Sequence, residues 1–541
     1  MNYADKTGTL DLLLFGGAVR PMDDSDAAVE AIGVKDGRVA FLGTTEEASS
    51  LTAARRVDLE GRTVLPGFID SHIHCVTYAW YENCVKLHAA ASPEDVIRLG
   101  KEHVEGRRLP QGSWVIGRGW NQDNFTEPRM LDKADLDAVS KDAPVAFLRT
   151  CGHVCAVNSK ALEIISELAQ AKALSGDIDM ESGLLREGAA RLFMEAMPPL
   201  DAEDLGELIK YAAARLNRCG VTSIHSDDLR SLPVRSKYEA MKAFRALRDA
   251  GELTVRVCCL NTYDSDAQLD EYIKDGFRTG QGDDMFRIGP VKIVTDGSLG
   301  GRTAALLEPY AGSEGDFGSL RIDLDELTRI VGKCAENGLD ATIHAIGDRA
   351  MKNAAAAVRA SNEKNGAGRR HGVLHAQVAT QETLEEMGRQ GMQAFIQPVF
   401  VGSDMDGAEK LLQNPASKKL YAWKSMLDAG VAVSGGACSP VESFDVLENI
   451  QYAVTREKLG GGPEGGWLPD ERLSVRDAVR LFTRNGAYAS YEESSKGSLE
   501  HGKLADMVVL DGDPFTVAPG AIKDIAVDMT LLGGKIVYSR R

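Results

Sequence analysis

The run GFIDSHIHC, Gly67 to Cys75, sets two imidazoles one residue apart at the end of an apolar stretch. Side chains alternate along a strand, so His72 and His74 share one face about 6.5 Å apart along the chain, while Ser71 and Ile73 share the other. Two imidazoles placed in this way can converge on one divalent ion; a pair of hydrogen-bonded core histidines is the plain alternative. Five of the ten histidines, His72, His74, His225, His344 and His375, fall at the ends of strand-like runs, and Lys292 sits within another, RIGPVKIVTDG. An unpaired buried ammonium is costly. Lys292 therefore needs a carboxylate, for which Asp296 on the same face is a candidate, or a chemical modification that removes its positive charge.

Such residues need a scaffold that brings many strand ends together. TVLPGFIDSHIH, GVTSIHSDD, LTVRVCCLN, RIGPVKIVTDG, LDATIHAIG, GVLHAQ, MQAFIQPVF and GVAVSGG are eight apolar runs, with helical segments recurring between them. Strands alternating with helices in this number predict an α/β fold, a (β/α)8 TIM-type barrel with its reactive groups at the C-terminal strand ends. Short strands with Asp-Gly and Gly-Gly turns occupy both ends of the chain, as in DLLLFGGAV and VDMTLLGGKIVYS. They predict one small β-sandwich subdomain from residues 1–64 plus 496–541, leaving the barrel to residues 65–495. Residues 76–204, after the first strand, are far too many for a helical crossover, so an inserted lid or substrate-recognition subdomain is expected there.

The 541 residues carry a net charge of -18, which argues against a general nucleic-acid binder, since phosphate contacts need clustered Lys and Arg. No run approaches the roughly 18 apolar residues of a membrane span, and the first residues lack the basic leader and cleavage pattern of a signal peptide. The nine cysteines are scattered, without a paired framework. The expectation is a cytoplasmic protein acting on a small molecule, with no nucleic-acid or membrane partner. A homodimer is compatible with the sequence.

GFIDSHIH, the Gly-Trp of GRGWNQDNF, VKIVTDGSLGGRTAALLEPY, HAIGDRA, LHAQ and GSLEHGKLADMVVLDGDP follow one another over nearly the whole chain. Together they resemble the amidohydrolase superfamily and, within it, the amidohydrolase family 3 branch that includes N-substituted formamide deformylase-like metal-dependent hydrolases. The resemblance implies one or two divalent ions, with zinc suited to the ligand types and iron or manganese also accommodated. His72 and His74 match the pair that holds one ion; His344 and His375 match the histidines that hold a second. In related binuclear members a lysine at the position of Lys292 is carboxylated and bridges the two ions, and the salt bridge to Asp296 stays open as the alternative. Trp120 and Asn121 match the family's Gly-Trp segment and, with His153, His225 and Arg302, are candidates for substrate contact. Trp120 could equally anchor the insertion, His225 cap its strand and Arg302 hold a loop.

The chain departs from the family pattern at strand eight. There the family has Gly-Ser-Asp-x-Pro, whose aspartate touches the first metal and exchanges a proton with its water. Here the stretch is GVAVSGGACSPVESFD, and matching Pro440 and Val441 puts Cys438 where that aspartate belongs. A thiolate there is a good ligand and a usable base, whereas a neutral thiol only packs and leaves proton handling to another group such as Asp296. The expected chemistry is attack of metal-activated water on an amide, N-formyl or related C–N bond. A non-hydrolytic metal-assisted step, namely decarboxylation, isomerisation or C–N elimination, is one alternative, and a catalytically silent metal-binding barrel is another.

Overall fold

The structure, a computed structural model, describes residues 9–25, 27–107, 113–150, 153–228, 232–234, 236 and 238–540. It divides into two compact units, Met1–Cys75 with Ile209–Leu229 and Met241–Arg541, and Val76–Leu208 with Arg230–Ala240.

In the first unit each of the eight apolar runs supplies one strand of a parallel sheet. Their bounds are Phe68–Ile73, Val221–Ser226, Arg256–Thr262, Phe286–Val294, Ala341–Ala345, Gly372–His375, Gln393–Ile396 and Ala432–Gly435, paired in chain order. This is the (β/α)8 barrel. The strands are buried along nearly their whole length, as their continuous apolar character requires when helices cover a parallel sheet. Helix Leu324–Glu336 shows the local logic. Asp323 caps it by accepting from Glu326 N, and Leu327, Ile330, Val331 and Cys334 form its buried stripe. The eighth strand returns to the first at the mouth, where Cys438 N donates to His72 O at 2.7 Å and His74 N donates to Ser439 O at 2.9 Å.

TVLPGFIDSHIH, expected as one strand, is two in different sheets: Thr63–Pro66 belongs to the terminal sheet and Phe68–Ile73 to the barrel. The break falls at Gly67, where a Cβ would stand 2.3 Å from Thr222 Oγ1, so only glycine lets the chain pass so close to the second strand. Both chain ends contribute to the terminal sheet. It is one continuous mixed sheet of eight strands, not two separately bonded layers, with Thr63–Pro66 joining Leu10–Val19 to Met507–Leu510. Leu12, Leu14, Ile32, Val64, Val509 and Leu531 fill its core. Asp506 ties this sheet to the barrel through a buried pair with Arg256, Nε to Oδ2 at 2.6 Å.

The second unit has its own six-stranded sheet and its own core, which includes Val85, Val115, Trp120, Leu136 and Phe147. Leu200 N donates to Pro233 O at 2.7 Å and joins the unit's two chain segments. Among the described residues no helix is long and apolar enough to cross a membrane, and the described cysteines are all free.

Candidate metal centre

The first barrel strand ends at Ile73, so His72 is its last inward residue and His74 lies just beyond it. The two rings stand 5.0 Å apart, centroid to centroid, at 76°. His375 joins them from the end of the sixth strand, 5.8 Å from the His72 ring and 4.6 Å from the His344 ring. Four imidazoles from the first, fifth and sixth strands thus meet at the C-terminal mouth of the barrel. Burial, and the Lys292 charge nearby, push His72 and His375 well below the usual histidine range and bring His344 down to about 4. Neutral imidazoles are the form that binds a metal.

Neighbouring groups set which nitrogen each ring presents. His375 Nδ1 lies 2.7 Å from Gln397 Oε1, and Gln397 Nε2 donates to Phe395 O at 3.1 Å, which orients the amide so that its oxygen faces the ring. His74 Nδ1 makes a short contact with the backbone oxygen of Asp227. Both rings therefore carry the proton on Nδ1 and present an unprotonated Nε2, which in His74 faces Cys438 Sγ. Neither ring nitrogen of His72, which is buried, has a hydrogen-bond partner among the described residues. Such an orphan costs stability unless a ligand occupies it, so the donor set fits an ion.

Lys292 points into the same space from the fourth strand, and its partner is Asp227, not Asp296, the carboxylate offered as the alternative to modification. Lys292 Nζ stands 2.5 Å from Asp227 Oδ2, and both side chains are buried. Burial alone would raise the Asp227 carboxyl, but Lys292, His74 and a 2.6 Å hydrogen bond from Thr262 Oγ1 hold it down to about 2. The negative charge of Asp227 compensates the unmodified ammonium. Asp296, fully buried, accepts from Ala305 N at 3.0 Å, Gly347 N at 2.9 Å and Ile346 N at 3.1 Å. It knits the loops after the fourth and fifth strands. Its Oδ1 also stands 3.4 Å from His344 Nε2, which in turn lies 3.2 Å from Gly297 O.

Cys438 closes the mouth from the eighth strand, with Sγ 3.7 Å from His74 Nε2. Burial pushes its thiol up to about 12. Asp70 accepts from His72 N at 3.0 Å and from Ala437 N at 3.2 Å, and so pins the first strand to the turn that carries Cys438. Asp70, Asp227 and Gln397 escaped the sequence reading. The acidic pair in IHSDD, at a strand end like the histidines, was the signal available for Asp227.

The remaining candidates lie elsewhere. Burial, and then the Lys496 charge, lower the titration of His225 to about 3 against the opposing charge of Glu492; Lys496 Nζ donates to Ser223 Oγ, two residues before it, at 3.0 Å. The charged neighbours of His225 are this buried ion pair, Lys496 and Glu492. In the second unit Trp120 is a core anchor with no exposure, its Nε1 donating to Phe147 O at 2.8 Å. Asn121 caps a short turn through Asp123 N and accepts from Arg149 Nη2 at 2.7 Å. His153 is exposed and paired with Glu187 at 3.2 Å. Arg302 is exposed as well, and donates to Ala311 O at 3.2 Å across its own loop. For Trp120 and Arg302 the anchoring and loop-holding roles account for these contacts.

Comparison with known proteins agrees with this geometry. The model of the amidohydrolase family matches residues 55–538. A putative amidohydrolase, YtcJ, of Bacillus subtilis (strain 168) is 31% identical, covering 97% of this chain and 99% of its own. An N-substituted formamide deformylase of Arthrobacter pascens is 26% identical, covering 98% of each. The crystal structure of an uncharacterized metal-dependent hydrolase from Pyrococcus horikoshii OT3 superposes with a TM-score of 0.79 at 28% identity, over 94% of this chain and 99% of its own.

Proposed function

The chain belongs to the amidohydrolase family, and from that premise we propose that it is a metal-dependent hydrolase cutting a non-peptide C–N bond, amide or N-formyl in type, of a small molecule in the cytoplasm. The observation that carries this reading is the convergence of His72, His74 and His375 at the barrel mouth, with Nε2 of His74 and His375 left unprotonated by the contacts of their Nδ1 with Asp227 and Gln397 and both His72 nitrogens unpartnered among the described residues. When bound by these residues, a divalent ion supplies Lewis acidity that lowers the pKa of water and polarises a carbonyl.

The protein groups supply the rest. Lys292 places a positive charge among the imidazoles, where negative charge develops on the carbonyl oxygen, and Asp227 holds that ammonium in position. His344 is the group placed to carry a proton from water to the departing nitrogen, because its Nε2 faces an oxygen acceptor in Asp296 while the ring lies against His375. Asp296 acts through His344, with its carboxylate held by backbone N–H groups. The test is a screen of N-acyl and N-formyl compounds in oxygen-labelled water with chelator-treated and metal-reloaded protein. Label in the carboxylic product and activity that returns with metal support the reading. Turnover without label moves the protein to a non-hydrolytic reaction, and turnover unaffected by metal removal sinks the proposal.

A further inference from the structure

His72, His375 and Cys438 each offer a donor atom within 4.8 Å of the others, the one such group of three among the described residues. His74 extends it, its Nε2 standing 3.7 Å from Cys438 Sγ. Around a tetrahedral zinc, with Zn–S about 2.3 Å and Zn–N about 2.0 Å, a sulfur and a nitrogen ligand stand about 3.5 Å apart. The observed separation is close to that of neighbours on one ion.

The backbone argues in the same direction. Cys438 has φ +55° and His375 has φ +78°, in the left-handed region that is unfavourable for a residue carrying a side chain. A cysteine that only filled space would gain nothing from that conformation. Here it is held by Cys438 N to His72 O at 2.7 Å and Val441 N to Cys438 O at 3.0 Å, and it brings Sγ to the imidazoles. The strain and the unpartnered His72 ring occur at the same point, as expected of a site completed by a ligand.

We propose that Cys438 is a metal ligand and that, with His72, His74 and His375, it forms a set of three imidazoles and one thiolate that selects zinc or cobalt over manganese. This rests on the metal-dependent reading above. On binding, the S–H bond is exchanged for a sulfur–metal bond and the proton leaves to solvent. The thiolate softens the site, which disfavours ions that prefer oxygen ligands. Water for turnover would have to be accommodated beside these four residues, an expansion that zinc permits.

The test is cobalt titration of chelator-treated protein, followed by absorption spectroscopy. The parent should show a sulfur-to-cobalt charge-transfer band in the near ultraviolet at saturation, and the band should be lost in Cys438→Ser and Cys438→Asp with cobalt still bound. A cobalt-loaded parent without the band overturns the proposal, as does a band that persists in Cys438→Ser. Failure of the parent to take up cobalt overturns the metal-dependent reading and this one with it. Should the variants not fold, zinc-edge X-ray absorption of the parent decides alone: a sulfur at about 2.3 Å is required, and a shell of nitrogen and oxygen only refutes it.

Discussion

Lys292 Nζ and Asp227 Oδ2 stand 2.5 Å apart in the barrel mouth, 8% and 5% exposed, so each charge is the other's main compensation. Breaking such a pair from one side strands a buried charge at a cost of about 3–5 kcal/mol, while removing both together costs far less. Asp227→Asn and Lys292→Met should each lower unfolding stability by that order, and the double variant should recover much of the loss. Denaturant unfolding of the four proteins in a double-mutant cycle checks this. Single variants that lose under about 1 kcal/mol, the range of an exposed pair, would mean that something other than Asp227 compensates the lysine.

All eight barrel strands were legible because each is a short apolar run bounded by turns, and a parallel sheet buried on both faces leaves that mark. The histidines, Lys292 and Cys438 were legible because reactive residues at strand ends stand out against apolar strands. Asp227, Asp70 and Gln397 were not. Their roles depend on which backbone oxygen or amide lies opposite across the closed barrel, and that is fixed by register between strands remote in sequence. Asp70 looks like any polar residue in FIDSHI until the eighth strand is brought against the first, where it accepts from Ala437 N. Which of the two roles open to Trp120 the chain uses was undecided for a related reason: Val115–Trp120 is a strand of the second unit's own sheet, and its tryptophan turns into that unit's core.

His225 yields a prediction about pH. Burial and the Lys496 charge lower its titration to about 3, against about 6.5 for a free histidine. Between those values the unfolded chain binds a proton that the folded chain refuses, so this residue's contribution to stability is present above about pH 6.5 and is lost as pH falls toward 3. His225→Gln should therefore flatten the decline in unfolding free energy between pH 6.5 and pH 4 relative to the parent, measured on metal-free protein. Parallel curves for the two proteins would contradict it.

Gly436, just past the end of the eighth strand, lies close against the first. A Cβ there would stand 2.5 Å from His72 N and 2.9 Å from Asp70 Oδ1, and neither the backbone of a barrel strand nor a buried carboxylate yields easily. Gly436→Ala should push the turn carrying Cys438 away from the first strand and weaken zinc binding about tenfold or more, the scale of disturbed support around a ligand. Circular dichroism should remain that of a folded barrel. Isothermal titration with unchanged zinc affinity would show that the contact is relieved without moving the ligands.

Gln397 bears on His375 alone, which makes it the sharpest probe of how the site is tuned. Its Oε1 lies 2.7 Å from His375 Nδ1, and its amide is oriented by Phe395 O. Gln397→Leu keeps a similar volume but removes the acceptor, so His375 can take its proton on Nε2 and compete with the metal for that nitrogen. Zinc affinity should fall about 10–100-fold, the usual scale for the outer partner of a ligating histidine. Gln397→Glu keeps an acceptor and adds negative charge beside Nδ1–H, so affinity should be held or raised. The two variants move the site in opposite directions only if Gln397 sets the tautomer of His375. Equal losses in both, measured by competition with a chelator of known affinity, would reduce Gln397 to a packing role.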